Sequence, residues 1–170
     1  MKFKVNGIAG ESEGKEDGLP VVFIHAFPAS RQMWRPQIEA LKRDFRVISY
    51  DVRGFGESEA GDGQYMIEFY ADDLFSVLDH LQLKQAVVCG LSMGGYIALR
   101  AAERSPERFS GLVLCDTKTE PDSSELKIKR AAGVQALKKF GVGPYAKKFV
   151  QSVLCANTKE KKPEVVKEVL

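Results

Sequence analysis

The sequence predicts an α/β fold with a mainly parallel sheet of about five or six strands, helices on both faces and a partial helical cap. From about residue 20, short apolar runs rich in β-branched residues alternate with segments of helical periodicity, a pattern typical of βαβ units. After residue 116 the strand-like runs stop and only helical patterns follow. The charge balance changes at the same place: residues 1–117 carry 13 Lys and Arg against 17 Asp and Glu, whereas residues 118–170 carry 12 against 6. We therefore expect an α/β core over residues 1–117 and the beginning of a helical cap over residues 118–170.

The individual elements are predicted from local patterns. The apolar run LPVVFIHA at residues 19–26 predicts the first buried strand, and Pro28 follows it in a polar turn. Residues 67–81 give the clearest helix, because their apolar residues recur at spacings of three and four and form one stripe. The first twelve residues are compatible with one or two antiparallel edge strands. Further strands are predicted at residues 45–50, 85–91 and 111–115, and further helices at residues 31–43, 93–103, 123–140, 144–155 and 163–170.

Composition and charge exclude several classes of protein. Hydrophobic residues make up 44% of the chain and charged residues 28%, which is typical of a globular protein rather than a disordered one. The net charge of +2 is too small to predict a nucleic-acid partner. No apolar run approaches the roughly 20 residues of a membrane span, and the N-terminal residues lack the apolar stretch of a signal peptide. The three cysteines, Cys89, Cys115 and Cys155, have no CxxC spacing, and two lie in apolar runs where a reduced thiol behaves as a small hydrophobe, so we expect a cytoplasmic protein.

The sequence GLSMG at residues 90–94 matches the pattern G-x-S-x-G and lies between a predicted strand and a predicted helix. A serine at this sharp turn adopts a strained conformation and exposes its hydroxyl at the carboxyl end of the strand. Glycines at positions 90 and 94 let the turn close, and Gly95 lets the helix approach the sheet. The N-terminus of a helix also favours a developing negative charge. A five-residue pattern is common by chance, so it is the strand before it and the helix after it that make Ser92 the predicted nucleophile.

The second element that points to chemistry is HAFP at residues 25–28, directly after the first predicted parallel strand. Acyl transfer needs two N–H donors aimed at the oxyanion. In this architecture one comes from the residue after the nucleophile and the other from the loop after the earlier strand. Alone, HAFP is equally well a tight strand exit. Together with the turn around Ser92 it predicts an oxyanion hole formed by the backbone N–H groups of Phe27 and Met93, because Pro28 has no N–H to donate.

Four segments carry a resemblance to a known family: VVFIHAFPASRQMW, DVRGFGES, VVCGLSMGGYIALRAA and LVLCDTKTEPDSSE. In this order they resemble the α/β-hydrolase superfamily and are most similar to its small capped esterase and 3-oxoadipate enol-lactonase-like branch, over residues 1–125. The resemblance implies hydrolysis of a small ester or lactone through an acyl-enzyme on Ser92, with Phe27 and Met93 as the oxyanion hole and with no metal or cofactor. It also implies that residues 51–56 form a structural turn near the mouth of the site. One departure is Ala26, where the family more often has Gly.

The residues that would activate the serine are harder to find. A serine hydroxyl needs a neighbouring base to take its proton, and in this fold the order along the chain is Ser, acid, His. Both histidines, His25 and His80, precede Ser92. We expect His80 to be a solvated surface residue and His25 to brace the oxyanion loop rather than to replace the base. We expect Asp116, which follows the last predicted strand, to be a strand-end cap rather than the triad acid.

By the resemblance, the last two strands, the triad acid and the histidine lie beyond residue 170. The simplest interpretation is a sheet of the α/β-hydrolase type that is truncated before its last two strands. A second interpretation is that a separate chain completes the fold, so that a dimer or a complementing chain covers the exposed sheet edge. In either case we expect the isolated chain to be inactive or a very weak catalyst. The main alternative from another class is a non-catalytic binding or receptor domain on a hydrolase scaffold.

Other enzyme classes fit these residues less well. The loop HAFPAS after the first parallel strand has no glycine and the chain has no GxxxxGK, so a nucleotide-binding α/β protein is not predicted. A haloalkane dehalogenase or an epoxide hydrolase would carry Asp at position 92. No His, Cys and Asp cluster has ligand spacing, so we expect no metal. The basic residues of the predicted cap fit solvated helix faces better than a site that attracts an anionic substrate: Lys127, Lys129, Arg130, Lys138, Lys139, Lys147 and Lys148.

Overall fold

The computed structural model describes residues 1–169, and over these residues the chain forms one sheet of six strands. Numbered along the chain, the strands are β1 (Lys2–Val5), β2 (Ile8–Gly14), β3 (Pro20–Ile24), β4 (Arg46–Tyr50), β5 (Ala86–Leu91) and β6 (Phe109–Cys115), in the spatial order β1-β2-β4-β3-β5-β6. The pairs β4–β3, β3–β5 and β5–β6 are parallel, and the pairs β1–β2 and β2–β4 are antiparallel. The predicted mainly parallel sheet with an antiparallel N-terminal edge is confirmed.

Seven α-helices lie within the described residues. They are α1 (Arg35–Leu41), α2 (Ile67–His80), α3 (Met93–Arg104), α4 (Ser124–Phe140), α5 (Val142–Val153), α6 (Ala156–Lys161) and α7 (Pro163–Val169). Position 170, at the end of the last predicted helix, lies outside the described residues.

Two of these helices differ from the sequence prediction. The predicted helix at residues 31–43 begins with a 3₁₀ turn, Arg31–Trp34, and becomes α-helical only from Arg35. Pro36 explains this, because a proline lacks the N–H of an i→i−4 bond and its ring clashes with the preceding turn, so it is tolerated only where an α-helix begins. Helix α6 was not predicted. Its N-terminus is capped by the Cys155 sulfur, which accepts from the Thr158 N–H at 3.4 Å, a cap that the sequence does not signal.

Helices cover both faces of the sheet, as predicted. On one face, α2 and α3 bury Leu74 and Ile97 against apolar strand residues that include Val22 and Ile48. On the other face, the segment that contains α1 buries Trp34 against the alternate set of strand residues, and the Trp34 and Phe23 rings lie 4.7 Å apart. Successive strand residues point to opposite faces, so β3, β4 and β5 are buried on both sides.

Strand β6 lies at one end of the sheet and pairs within the described residues only with β5. It is apolar, yet Leu112 is 37% exposed, Val113 is 46% exposed and Leu114 is 43% exposed. Neighbouring residues of a strand face opposite sides, so β6 has the composition of an interior strand but solvent on both faces.

The described chain forms two compact units, one over Met1–Thr119 and the other from Glu120 onward. The first contains the whole sheet together with α1, α2 and α3, and the second contains α4 to α7. That the second unit begins a cap stays a prediction. None of the described helices combines the length and the apolar character that crossing a bilayer requires.

Candidate active site

Ser92 lies in the sharp turn that joins β5 to α3. Its backbone dihedrals are φ 50° and ψ −109°, a region that residues with a side chain seldom occupy and that costs about 1–3 kcal/mol. The turn is tight because glycines flank it. A Cβ at position 90 would lie 2.3 Å from the Gly94 carbonyl oxygen, and a Cβ at position 94 would lie 2.2 Å from the Ile24 carbonyl oxygen. Both positions therefore require glycine, and the half-buried Ser92 stands at the carboxyl end of β5 and at the N-terminus of α3.

Hydrogen bonds from outside the turn hold the main chain of Ser92 in this conformation. Its N–H donates to the Cys115 carbonyl oxygen at 3.0 Å. Its carbonyl oxygen accepts from the N–H groups of Gly95 and Tyr96, at 2.9 and 3.2 Å, and from the Thr117 hydroxyl at 2.9 Å. Cys115 at the end of β6 and Thr117 just beyond it therefore bind the main chain on the two sides of Ser92.

The two amides expected to form an oxyanion hole have no acceptor among the described residues. Met93 begins α3, and the first N–H groups of a helix lack an intrahelical partner. The Phe27 N–H is likewise unengaged within residues 1–169. Contact of Gly94 with Ile24 brings the first turn of α3 against the end of β3, from which residues 25–28 continue. The fold therefore brings both predicted donor segments to the same end of the sheet.

His25 is fully buried at the exit of β3, and both of its ring nitrogens are engaged. Nδ1 lies 3.0 Å from the Ala26 carbonyl oxygen, and Nε2 accepts from the Val52 N–H at 3.0 Å. This pattern assigns the proton to Nδ1. Burial lowers the pKa of His25, against smaller opposing effects of the Ala26 carbonyl and the Asp51 carboxylate. The ring is thus a neutral brace between the strand exit and the turn that begins at residue 51, as expected from the sequence.

The turn at residues 51–56 is built around the buried carboxylate of Asp51. Asp51 accepts from the Arg31 N–H at 2.7 Å, from the Glu57 N–H at 3.0 Å and from the Arg31 guanidinium. Arg31 is 4% exposed and also donates to Glu57 at 2.6 Å. A Cβ at position 56 would lie 2.2 Å from the Asp51 carboxylate, so glycine is needed there. The predicted structural turn is present, and the Phe55 ring on it contacts the rings of His25 and Phe27.

Within residues 1–169, neither His80 nor Asp116 forms a hydrogen bond with Ser92. His80 is exposed at the end of α2 and its ring lies 5.7 Å from that of Phe3. Asp116 is exposed and has φ 38°, so it bends the chain directly after β6. Residues 93–170 contain no histidine.

Two surface cavities lie away from Ser92. The larger, of about 640 Å³, is lined by Asp79, Gln82, Leu83, Lys84, Gln85, Glu107 and Arg108, and the smaller, of about 220 Å³, by Asn6, Ile8, Arg53, Glu59, Gly61 and Asp62. Within the described residues, no group of three or more His, Cys, Asp and Glu side chains could hold a metal ion.

Two contributors to this end of the sheet were not predicted from the sequence. One is the Arg31–Asp51 pair, whose members are 20 residues apart, and the other is Thr117, 25 residues from Ser92. Neither contact follows from periodicity. The one available signal in the sequence is a polar residue directly after the end of a predicted strand. This signal indicates a buried position but does not identify the hydrogen-bond partner.

The match to a family model decides the family. Residues 20–147 match the model described as the alpha/beta hydrolase fold. The chain belongs to the α/β-hydrolase family. Within that family, a 3-oxoadipate enol-lactonase of Acinetobacter baylyi is 31% identical over 156 residues, which are 92% of this chain and 57% of the relative.

Solved structures of α/β hydrolases agree. A thermophilic esterase from Thermogutta terrifontis has a TM-score of 0.90 and 38% identity, and the match covers 99% of this chain and 65% of the esterase. An enol-lactonase from Burkholderia xenovorans has a TM-score of 0.88 and 31% identity, with the same two shares. The resemblance to the enol-lactonase-like branch is therefore confirmed, and the chain spans between about half and two thirds of the length of these relatives.

Proposed function

We propose that Ser92 is the nucleophile of a serine hydrolase that acts on a small ester or lactone. The observation that carries the proposal is the strained backbone of Ser92 at a strand-to-helix turn, next to an unpartnered Met93 N–H. Names of relatives support the substrate class, since they include an esterase and enol-lactonases.

The chemistry follows from the geometry. The Ser92 oxygen forms a bond to the carbonyl carbon of the substrate while its proton passes to a base. The carbonyl oxygen becomes an anion that accepts from the N–H groups of Phe27 and Met93. Collapse of this intermediate breaks the ester C–O bond, and the alcohol leaves with the proton; water then releases the acid from the acyl-enzyme. No step requires a cofactor.

We expect the base and the acid of this mechanism to come from outside residues 1–170. His25 is buried and uses both ring nitrogens, His80 is exposed at the end of α2, and no histidine follows Ser92. We therefore expect the isolated chain to be inactive or very weak, retaining at most the ~10³–10⁴-fold acceleration over water that an oxyanion hole with binding supplies. A longer chain or a complementing chain would supply both groups, and the open edge of β6 is where its first strand would pair.

The same observation about the histidines favours one alternative. A chain that works without a base would be a binding or receptor domain on a hydrolase scaffold, and it would keep the fold while Ser92 stays unreactive. We place either form in the cytoplasm, supported by three cysteines that are all free thiols.

A fluorophosphonate probe tests the proposal, because it reacts with serines that are activated. The 170-residue chain and a longer polypeptide from the same reading frame are treated in parallel. We expect Ser92 to be labelled in the longer polypeptide and scarcely in the shorter one. The Ser92→Ala variant should lose the label, and Ser110→Ala, which changes an exposed serine on β6, should keep it.

The possible outcomes separate the alternatives. A longer polypeptide that contains a histidine after Ser92 and still does not react would contradict the hydrolase and favour the binding domain. Strong labelling of the short chain at Ser92 would contradict the missing-base argument and point to His25 or to a second copy of the chain.

A further inference from the structure

We propose that Thr117 is a positioning residue for the oxyanion site: its hydroxyl fixes the orientation of the Ser92–Met93 peptide group and thereby aims the Met93 N–H. The inference rests on the proposed function, in which that N–H receives the negative charge. Thr117 touches no reacting atom and acts only through this peptide group.

The link between Thr117 and Met93 is covalent geometry. The Ser92 carbonyl and the Met93 N–H belong to one planar trans peptide group, so they point in opposite directions and rotate together. The Thr117 hydroxyl donates to the Ser92 carbonyl oxygen at 2.9 Å. A hydrogen bond that fixes the carbonyl at one end of the plane therefore also fixes the N–H at the other end.

The fold delivers the Thr117 hydroxyl to this place. Cys115 ends β6 and accepts the Ser92 N–H, and Asp116 then turns the chain with φ 38° so that residue 117 comes back against the turn. Thr117 occupies the space left by Gly95, since a Cβ at position 95 would lie 2.5 Å from the Thr117 hydroxyl oxygen. Gly95 and Thr117 are thus a matched pair, which gives the last glycine of the sequence GLSMGG a specific partner.

The other donors to the Ser92 carbonyl oxygen cannot fix the orientation of the Ser92–Met93 peptide group relative to the sheet. The N–H groups of Gly95 and Tyr96 belong to the first turn of α3 itself, so they move with the peptide group that they contact. Thr117 lies beyond the end of a different strand. Its hydrogen bond connects the carbonyl of the Ser92–Met93 peptide group to the end of the sheet. The hydrogen bond from the Ser92 N–H to the Cys115 carbonyl oxygen does the same for the preceding peptide group.

The Thr117 hydroxyl also changes the charge distribution of the Ser92–Met93 peptide group. A donor at the carbonyl end polarises a peptide group, and a polarised group is a stronger donor at its N–H end. The benefit is largest when the oxyanion is fully formed, so loss of the hydroxyl should lower kcat rather than raise KM.

The test uses two variants of the same residue. Thr117→Val keeps the shape of the side chain but removes the donor, and Thr117→Ser keeps the donor but removes the methyl group. The first measurement needs no activity: in the 170-residue chain, the ¹⁵N resonance of the Met93 amide should shift in Thr117→Val and stay close to its original position in Thr117→Ser. The Ser110 amide serves as a reference that neither variant should move.

The second measurement uses whichever polypeptide reacts at Ser92 with the fluorophosphonate. We expect Thr117→Val to react about tenfold more slowly, less than the ~10²–10³-fold cost of removing an oxyanion donor itself. With an ester substrate the loss should appear in kcat with KM unchanged, and Thr117→Ser should restore it. A purely structural role for Thr117 would instead lower the thermal midpoint without a selective loss of kcat.

Each outcome has one meaning. An unshifted Met93 resonance in Thr117→Val, or a Thr117→Val polypeptide that reacts as fast as the unsubstituted one, would overturn the inference while leaving the nucleophile proposal intact. If Ser92→Ala labels as well as the unsubstituted polypeptide, the proposed function fails instead, and the resonance shift still decides whether Thr117 orients the peptide group.

Discussion

The two units of the chain are built in different ways. The first buries a core of apolar side chains on two faces of a sheet, and several, such as Leu74 and Ile97, have no exposed surface. In the second, Val150 is the one buried residue among residues 120–167, and α4 has none. The first unit is thus held by contacts between residues far apart in sequence, whereas α4 depends mainly on its own backbone and its cap. Substitutions of buried residues in the first unit should therefore lower the free energy of unfolding more than substitutions in the second unit.

The largest difference in unfolding free energy between the two units is expected when one partner of an ion pair is removed. Asp51→Ala removes a carboxylate that pairs with Arg31, which is 4% exposed. The Arg31 guanidinium would keep Glu57 but lose its buried partner, and the N–H groups of Arg31 and Glu57 would lose their acceptor, so the change should cost about 3–5 kcal/mol of unfolding free energy. The matched control is Asp122→Ala in the second unit, where the pair with Arg130 is more exposed and should contribute less than about 1 kcal/mol. Urea denaturation checks both, and equal effects would show that the two units do not differ in this respect.

Truncation of an apolar side chain should give almost as large a difference in unfolding free energy between the two units. Leu74→Ala empties a site with no solvent exposure and should cost about 2–5 kcal/mol. Ile128→Ala changes a side chain on α4 that is 70% exposed, and its effect should stay within about 0.5 kcal/mol. A large cost for Ile128→Ala in thermal or urea unfolding would mean that something covers α4 in solution.

The first unit should also determine how the free energy of unfolding depends on pH. Burial lowers the pKa of His25 from its ordinary value of 6.5, so the folded protein binds fewer protons there than the unfolded chain does. The stabilisation is fully present above pH 6.5 and decreases as the pH falls below it towards the lowered pKa. The difference in unfolding free energy between the unsubstituted chain and His25→Gln should therefore narrow on acidification. The comparison is repeated with His80→Gln, in which an exposed ring is replaced; an equal narrowing there would refute the assignment to His25.

The smallest effect is expected at the start of α4. The Ser123 hydroxyl accepts from the Leu126 N–H at 3.2 Å, and Ser123→Ala should cost the helix about 1 kcal/mol. Amide exchange in α4 should accelerate, while exchange in α3 stays unchanged. Ser124→Ala changes the neighbouring exposed serine without removing the cap and should leave both helices as they were. Slower α4 exchange in Ser124→Ala than in Ser123→Ala is thus the expected result.

Much of the first unit could be predicted because its signals are local. The alternation of strands and helices, the stripe of α2 and the turn around Ser92 all follow from spacing within about 15 residues. The hydrogen-bond partners of His25 and Arg31 are different, since they lie on a turn at residues 51–52 that local patterns do not bring near. Helix α6 was missed for a third reason: a lysine-rich segment looks like a break, although straight-chain lysines are good helix formers once a cap begins the helix.

Strand β6 has a practical consequence for handling the chain. Its outer backbone groups have no partner strand within the described residues, and its apolar side chains face solvent on both sides. Such an edge is a template on which copies of a chain stack by adding strands to one another. Preparations of the 170-residue chain should therefore precipitate as the concentration rises, and a lysine in place of Val113 should keep them clear.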